Sequence, residues 1–165
     1  MADHVEDFGE RGTPSRRAVR FANQTDLDGC IALDHPTIPA ELIKRKIEQG
    51  EIIVAEKAAQ LVGYLRLEYL WSMAPYIALI WVVKEQRHQG IGRAMLHYLE
   101  NVLREQGHTA LYSSSRANEP EPQAWHRHVG FEECGFIAGM NKGGIGEVFF
   151  RNDLTLRKEE DNETT

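Results

Sequence analysis

The chain has 165 residues, 42% of them hydrophobic, and a formal net charge of −6, which suits a single compact domain with a real core. The negative balance argues against a nucleic-acid partner, because phosphate-backbone affinity comes from clustered Lys and Arg. No stretch of 18 apolar residues and no basic segment followed by an apolar core occurs, so no membrane partner is expected and a cytoplasmic location is. Cys30 and Cys134 are the only cysteines, and both fall in expected secondary structure, which fits a reducing compartment better than a disulfide framework.

Residues 1–17 mix Gly, Pro and charge without apolar periodicity, and residues 155–165 are mostly polar; both are expected to be tails flanking a domain over 18–154. Residues 18–22 read as a first strand, and Thr25 with Asp28 offers a capping pair for a short helix through Leu33. Pro39 suits the first turn of a second helix that runs to Gln49 and stops at Gly50. Residues 51–55 and 61–69 flank a short polar connection, as in a hairpin. Residues 71–75 read as a turn containing Pro75.

The run over 76–83, Tyr-Ile-Ala-Leu-Ile-Trp-Val-Val, predicts a fourth strand covered on both faces. A helix follows, with Ile91, Met95, Tyr98, Leu99 and Val102 on one stripe and Gly107 at its C-terminal cap. A fifth strand over 110–115, a helix over 122–129 and two closing strands, 132–137 and 147–151, complete the chain. The closing strands flank a glycine-rich loop.

Arg87-His88-Gln89-Gly90-Ile91-Gly92-Arg93-Ala94 lies where the fourth strand gives way to the helix. The first amides of a helix lack intrahelical partners and its dipole is positive there, so an anion is welcome. Two glycines let the backbone approach a diphosphate, and Arg87 and Arg93 add charge. A tight turn alone would also use the glycines. A dinucleotide fingerprint would want glycine at Met95 and an acid about 20 residues on. A triphosphate loop would want Lys-Ser or Lys-Thr where Arg93-Ala94 stands.

With Gln or Arg, two residues, Gly, one residue, then Gly or Ala as its pattern, this segment resembles the cofactor motif of the GNAT superfamily of N-acetyltransferases. A second signature of that family, an aromatic-rich helix closing on Gly-Phe, is matched by Ala124-Trp125-His126-Arg127-His128-Val129-Gly130-Phe131. The resemblance implies an α/β (α+β) fold: a mixed, mostly antiparallel sheet of about seven strands flanked by about four helices, with splayed fourth and fifth strands.

It also implies an acyltransferase that passes the acetyl group of acetyl-CoA, as co-substrate, directly to a primary amine acceptor. Val82 and Val83 would meet the pantetheine amides, with the Val82 amide polarising the thioester carbonyl. Arg87, His88, Gln89, Gly90, Ile91, Gly92, Arg93 and Ala94 would hold the pyrophosphate.

Three departures from the family pattern stand out. His126 takes the place of the tyrosine that many members use as proton donor to the departing thiolate, a role an imidazole can fill. Tyr76 takes the place of a base glutamate, and Glu68, at the end of the preceding strand, is the candidate base in its stead. The usual Asn of the loop after the fifth strand corresponds to Glu119, which leaves Asn118 or Ser115 for the pantetheine contact.

No His, Cys or carboxylate spacing suits a metal, and none is expected. A homodimer through the closing strands is open. So are a non-catalytic acyl-CoA-binding or sensing module and, further off, a nucleotide-dependent oxidoreductase.

Overall fold

A computed structural model describes residues 17–156, so the tails expected at 1–17 and 155–165 lie outside the described residues except for Arg17, Thr155 and Leu156. Arg17, counted with the N-terminal tail, is tied to the body instead: its guanidinium donates to the Gln89 carbonyl at 2.6 Å.

Seven strands form one sheet in the order β1-β2-β3-β4-β5-β7-β6. They are β1 (Ala18–Phe21), β2 (Ile52–Lys57), β3 (Gln60–Leu70), β4 (Ala74–Val82), β5 (Ala110–Arg116), β6 (Glu132–Ile137) and β7 (Glu147–Asp153). Four α-helices accompany them: α1 (Leu27–Leu33), α2 (Ala40–Glu48), α3 (Ile91–Glu105) and α4 (Pro120–His128). Every neighbouring pair is antiparallel except β4 with β5. The expected mixed, mostly antiparallel architecture is therefore the observed one.

Period-two alternation sorts the core into two layers. Ile53, Ala55, Leu65 and Ile77 pack with Ile91, Met95, Leu99 and Leu103 of α3. Ile52, Val54 and Tyr64 turn the other way, toward Cys30 of α1 and Ile43 and Ile47 of α2. The buried stripe of α3 runs Ile91, Met95, Leu96, Leu99, Leu103, so Leu96 and Leu103 replace the expected Val102.

Local chemistry moved several boundaries. The first helix is capped by Asn23, not Thr25: Asn23 Oδ1 accepts from the Thr25 amide at 2.9 Å, and Asp26 accepts from the Asn23 amide at 2.8 Å. This reciprocal box opens a 3₁₀ turn, Gln24–Asp26, that leads into α1. The β2–β3 connection shrinks to Ala58 and Ala59, both at positive φ, the geometry of a two-residue hairpin. Trp71 and Ser72 also adopt positive φ, in the three-residue connection 71–73 between β3 and β4. Pro75 is thus not in a turn but in β4, opposite Tyr69. Pro120, at the first position of α4, starts that helix two residues before the expected Pro122.

The expectation of two-faced burial for the fourth strand holds instead for β2 and β3. In β4, residues 78–82 are only partly covered or exposed, because β5 pairs with β4 only at Tyr76–Tyr112 and Ile77–Ser113. Beyond those pairs the strands part. Next to this point β4 also carries an irregularity that leaves Ala78 unpaired between the Leu67–Ile77 and Arg66–Leu79 pairs.

Candidate active site

The opening between β4 and β5 and the start of α3 lie side by side. Gly63 of β3, opposite Val82, makes that possible: a Cβ there would come within 2.9 Å of Met95 Cε and 3.0 Å of Ile91 Cγ2. The absent side chain lets the first turns of α3 settle directly on the sheet beneath the end of β4.

The loop into α3 ends at Gly90, the N-cap, at φ +76°, a left-handed conformation that disfavours any residue with a Cβ. His88 also adopts positive φ, +59°. The Ala94 amide makes the first helical bond, to the Gly90 carbonyl, at 3.0 Å. No side chain among the described residues caps the helix, so its first-turn amides, on Ile91, Gly92 and Arg93, are available to an anion. Gly92 packs toward Trp125, where an added Cβ would make an ordinary 3.5 Å contact.

Val82 and Val83 present their peptide groups in opposite directions. The Val83 amide donates to the Val62 carbonyl at 3.0 Å. The alternation of an antiparallel ladder therefore turns the Val82 peptide away from β3, toward the gap left by β5. The Val82 carbonyl accepts from Arg87 Nε at 3.0 Å, and the Arg87 guanidinium lies 4.5 Å from the centre of the Trp81 ring. Arg93 reaches His128 Nε2 at 3.2 Å. Both arginines thus flank the cradle through contacts to their own surroundings.

Ser115 supplies a further group. It is buried, and its hydroxyl is the only buried side-chain polar atom without a hydrogen-bond partner among the described residues. It sits on β5 beyond the last β4–β5 pair. Asn118 is exposed in the turn before α4. In that turn Gln123 Nε2 donates to the carbonyls of Arg116 and Ala117.

His126 is 4% exposed and stacks on Phe150 with ring centres 4.7 Å apart. Its Nδ1 lies 2.7 Å from the Pro122 carbonyl and its Nε2 2.7 Å from Ser113 Oγ. A carbonyl only accepts, so Nδ1 carries the proton and Nε2 of the neutral ring accepts from Ser113. Nδ1 is bonded within α4 and Nε2 ties α4 to β5, so both nitrogens have partners inside the fold, whereas the sequence led one to expect a proton donor facing the departing thiolate. Burial pushes the imidazole pKa below its usual 6.5.

The unfolded chain then binds the extra proton more readily, so the stability this ring contributes is complete above about pH 6.5 and declines as pH falls toward the lowered value. Denaturant titrations at pH 7.5 and 5.5 are expected to show a smaller pH-dependent loss in His126→Phe than in the wild type. Equal losses would rule the ring out as the titrating group.

Glu68 corrects a second expectation. Its oxygens accept from Lys46 Nζ at 2.6 Å and Arg66 Nη1 at 2.9 Å, and Lys46 also holds Glu51 at 2.5 Å. Both of its oxygens are engaged by cations of the fold, so Glu68 is a member of an ion-pair network and does not stand free at the site. Farther in, Asp34 accepts from Arg66 Nε at 2.7 Å and Tyr64 OH at 2.6 Å. The result is a structural network over β3. Sequence reasoning also passed over Gly63, Arg17 and Ser113, whose roles depend on partners distant in the chain.

Comparison with known proteins agrees with this geometry. A family model described as an acetyltransferase (GNAT) domain matches residues 48–133, just over half of the chain, and the chain belongs to that family of acyltransferases. No curated protein sequence matches it.

Among solved structures, the ribosomal-protein-alanine N-acetyltransferase of Brucella melitensis superposes with a TM-score of 0.72 at 24% identity, over 82% of this chain and 99% of the other. An N-acetyltransferase from Staphylococcus aureus Mu50 gives 0.74 at 16% identity, over 85% and 99%. A Bacillus anthracis acetyltransferase solved in complex with acetyl coenzyme A gives 0.58 at 21% identity, over 62% and 61%. These likenesses establish the fold. No helix among the described residues is long and apolar enough to cross a membrane, and no group of potential metal ligands occurs among them.

Proposed function

We propose that residues 18–154 work as one domain that transfers the acetyl group of acetyl-CoA directly to a primary amine. The observation that carries this reading is the Val82 peptide turned into the β4–β5 opening beside an uncapped helix start. The amides of Ile91, Gly92 and Arg93, with Arg87, Arg93 and the loop residues His88, Gln89 and Gly90, hold the pyrophosphate, and Ala94 closes the first helical turn behind them. The pantetheine arm enters the gap, where Ser115 Oγ gains the partner it lacks within the fold and the Val82 amide polarises the thioester carbonyl. An amide fixed in the sheet stabilises a developing oxyanion without reorganising. Ser115 takes the contact for which Asn118 was the other candidate, and His126 positions β5 against α4.

The acceptor is a small amine or a peptide N-terminus. The latter is supported by neighbours described as ribosomal-protein-alanine N-acetyltransferases, from Brucella melitensis and from Escherichia coli. The unpaired Cys30 and Cys134 fit a cytoplasmic location. An exposed edge strand, β6, with Phe136 and Ile137 on its surface, is the place for a second copy in a homodimer.

A second reading, a non-catalytic acyl-CoA-binding module, draws on the burial of His126 and the clamping of Glu68. Calorimetry with acetyl-CoA, NAD and ATP, followed by thiol release with tyramine, spermidine and an alanine-initiated pentapeptide, separates the readings. Binding of acetyl-CoA with thiol release confirms transfer. Binding with no release from any amine favours the module, and preference for NAD or ATP overturns both.

A further inference from the structure

On the sheet face opposite α3 and α4, a second set of polar groups meets at the point where β4 and β5 part. Glu147 opens β7. Its Oε1 accepts from Ser114 Oγ at 2.5 Å, and its Oε2 accepts from Asn141 Nδ2 at 2.7 Å. Tyr76 OH lies 2.7 Å from Ser114 Oγ. A carboxylate can only accept, so the single Ser114 proton goes to Glu147 and Tyr76 must donate to Ser114. Burial keeps the Tyr76 phenol protonated by raising its pKa, consistent with that direction. The Tyr76 and Phe149 rings, with centres 6.2 Å apart, form an aromatic wall beside the carboxylate.

The missing cation distinguishes this carboxylate from the others that turn inward. Asp26 and Glu56 have Arg20, Asp34 has Arg66, Glu51 has Lys46, and Glu68 has both Lys46 and Arg66. Glu147, partly buried, is held among the described residues only by neutral donors. Arg116, its cross-strand neighbour, points its Nη1 to Glu119 at 3.7 Å instead. No cation among the described residues forms an ion pair with Glu147. A half-buried negative charge with neutral support beside aromatic rings is a receptor for an ammonium group.

The position matches the chemistry. Ser114 is the first β5 residue beyond the last β4–β5 pair, and its side chain points to the opposite face from Ser113 and Ser115. An acyl group brought in from the α3 side would therefore reach the parting of the strands with Glu147 across the sheet from α4.

We propose that Glu147 receives the acceptor's ammonium group, selects for a cationic amine and takes its proton. The proposal rests on the direct-transfer reading above. One ammonium N–H bond breaks, its proton goes to a Glu147 oxygen, and its electron pair stays on nitrogen. That pair forms the bond to the acetyl carbon while the carbon–sulfur bond breaks toward sulfur. The second N–H proton lost from nitrogen neutralises the thiolate, and Glu147 returns its proton to solvent.

The test is calorimetry on the full chain saturated with CoA, using tyramine and an alanine-initiated pentapeptide, each against its N-formyl form. The wild type is expected to bind at least one amine more tightly than its formylated counterpart. Glu147→Gln is expected to reduce that preference by at least about tenfold, with CoA affinity and N-formyl binding unchanged. Glu147→Asp, which keeps the charge on a shorter arm, is expected to retain part of it.

An absent preference in the wild type overturns the assignment, as does a full preference in Glu147→Gln or an equal loss in the Asp and Gln variants. These are equilibrium measurements. A wild type that shows the amine preference yet releases no thiol from acetyl-CoA therefore defeats the transfer reading while leaving the ammonium site standing.

Discussion

Replacing Arg66 by methionine is expected to destabilise the fold by about 3 to 5 kcal/mol, the cost of breaking a buried ion pair from one side. Arg66 is 8% exposed, and the Asp34 side chain it holds is fully buried. Its Nε and Nη2 both reach Asp34, at 2.7 and 3.4 Å, while Nη1 reaches Glu68 at 2.9 Å.

Methionine fills much of the same volume but leaves the Asp34 charge with only neutral donors: Tyr64 OH at 2.6 Å and the His35 amide at 2.6 Å. Tyr64 cannot neutralise it, because a phenol carries no positive charge in either protonation state; burial and Asp34 keep it protonated, a neutral donor only. Thermal unfolding should fall by roughly 10 °C in a chain of this size. The contrasting change, Arg127→Met, breaks the Arg127–Glu133 pair at 3.2 Å, with side chains 50% and 53% exposed, and should cost under about 1 kcal/mol. A loss below about 1 kcal/mol for Arg66→Met would mean that the network over β3 is not holding α1 to the sheet.

The second large effect concerns ligand affinity with stability spared. Gly92→Glu places a carboxylate in the first turn of α3, where the positive end of the helix dipole stabilises it by about 0.3 to 1 kcal/mol. The new Cβ meets only an ordinary 3.5 Å contact with Trp125, and Gly92 is not at positive φ, so the helix itself should be undisturbed. The same carboxylate competes with a pyrophosphate for the free amides and repels it.

Acetyl-CoA affinity is expected to fall at least about 100-fold, equivalent to about 2.7 kcal/mol, at an unchanged or slightly higher melting temperature. Gly92→Ala, which adds bulk without charge, serves as the control and should lose far less. Undiminished affinity in Gly92→Glu, measured by calorimetry, would remove the start of α3 from the cofactor site.

Much of the architecture was legible because it is written in local patterns. The stripe through Ile91, Met95 and Leu99 announced α3, and the polar loop with Gly90 announced where it begins. The turns were less legible. Ala58, Ala59, Trp71 and Ser72 adopt positive φ without the glycine or asparagine that normally signals it. The register imposed by the strands on either side overrides their weak preference for other conformations. The cap at Asn23 was missed for a related reason: several Asx and Thr residues compete there, and only the folded path of the chain selects among them.

The amino-acid sequence by itself determined the family, the order of strands and helices, and the junction from Val82 to Ala94. Each depends on residues close together in the chain, where backbone preference and side-chain spacing act directly. Tertiary structure alone decided which ionisable groups are free. His126 became a core residue because Ser113, Pro122 and Phe150 close around it. Glu68 was claimed by Lys46 and Arg66, which come from different elements. Glu147 was left without a cation from the described residues at the parting of β4 and β5. Whether a charge is neutralised depends on which distant groups the fold brings within a few ångströms of it, and separation along the chain carries no record of that distance.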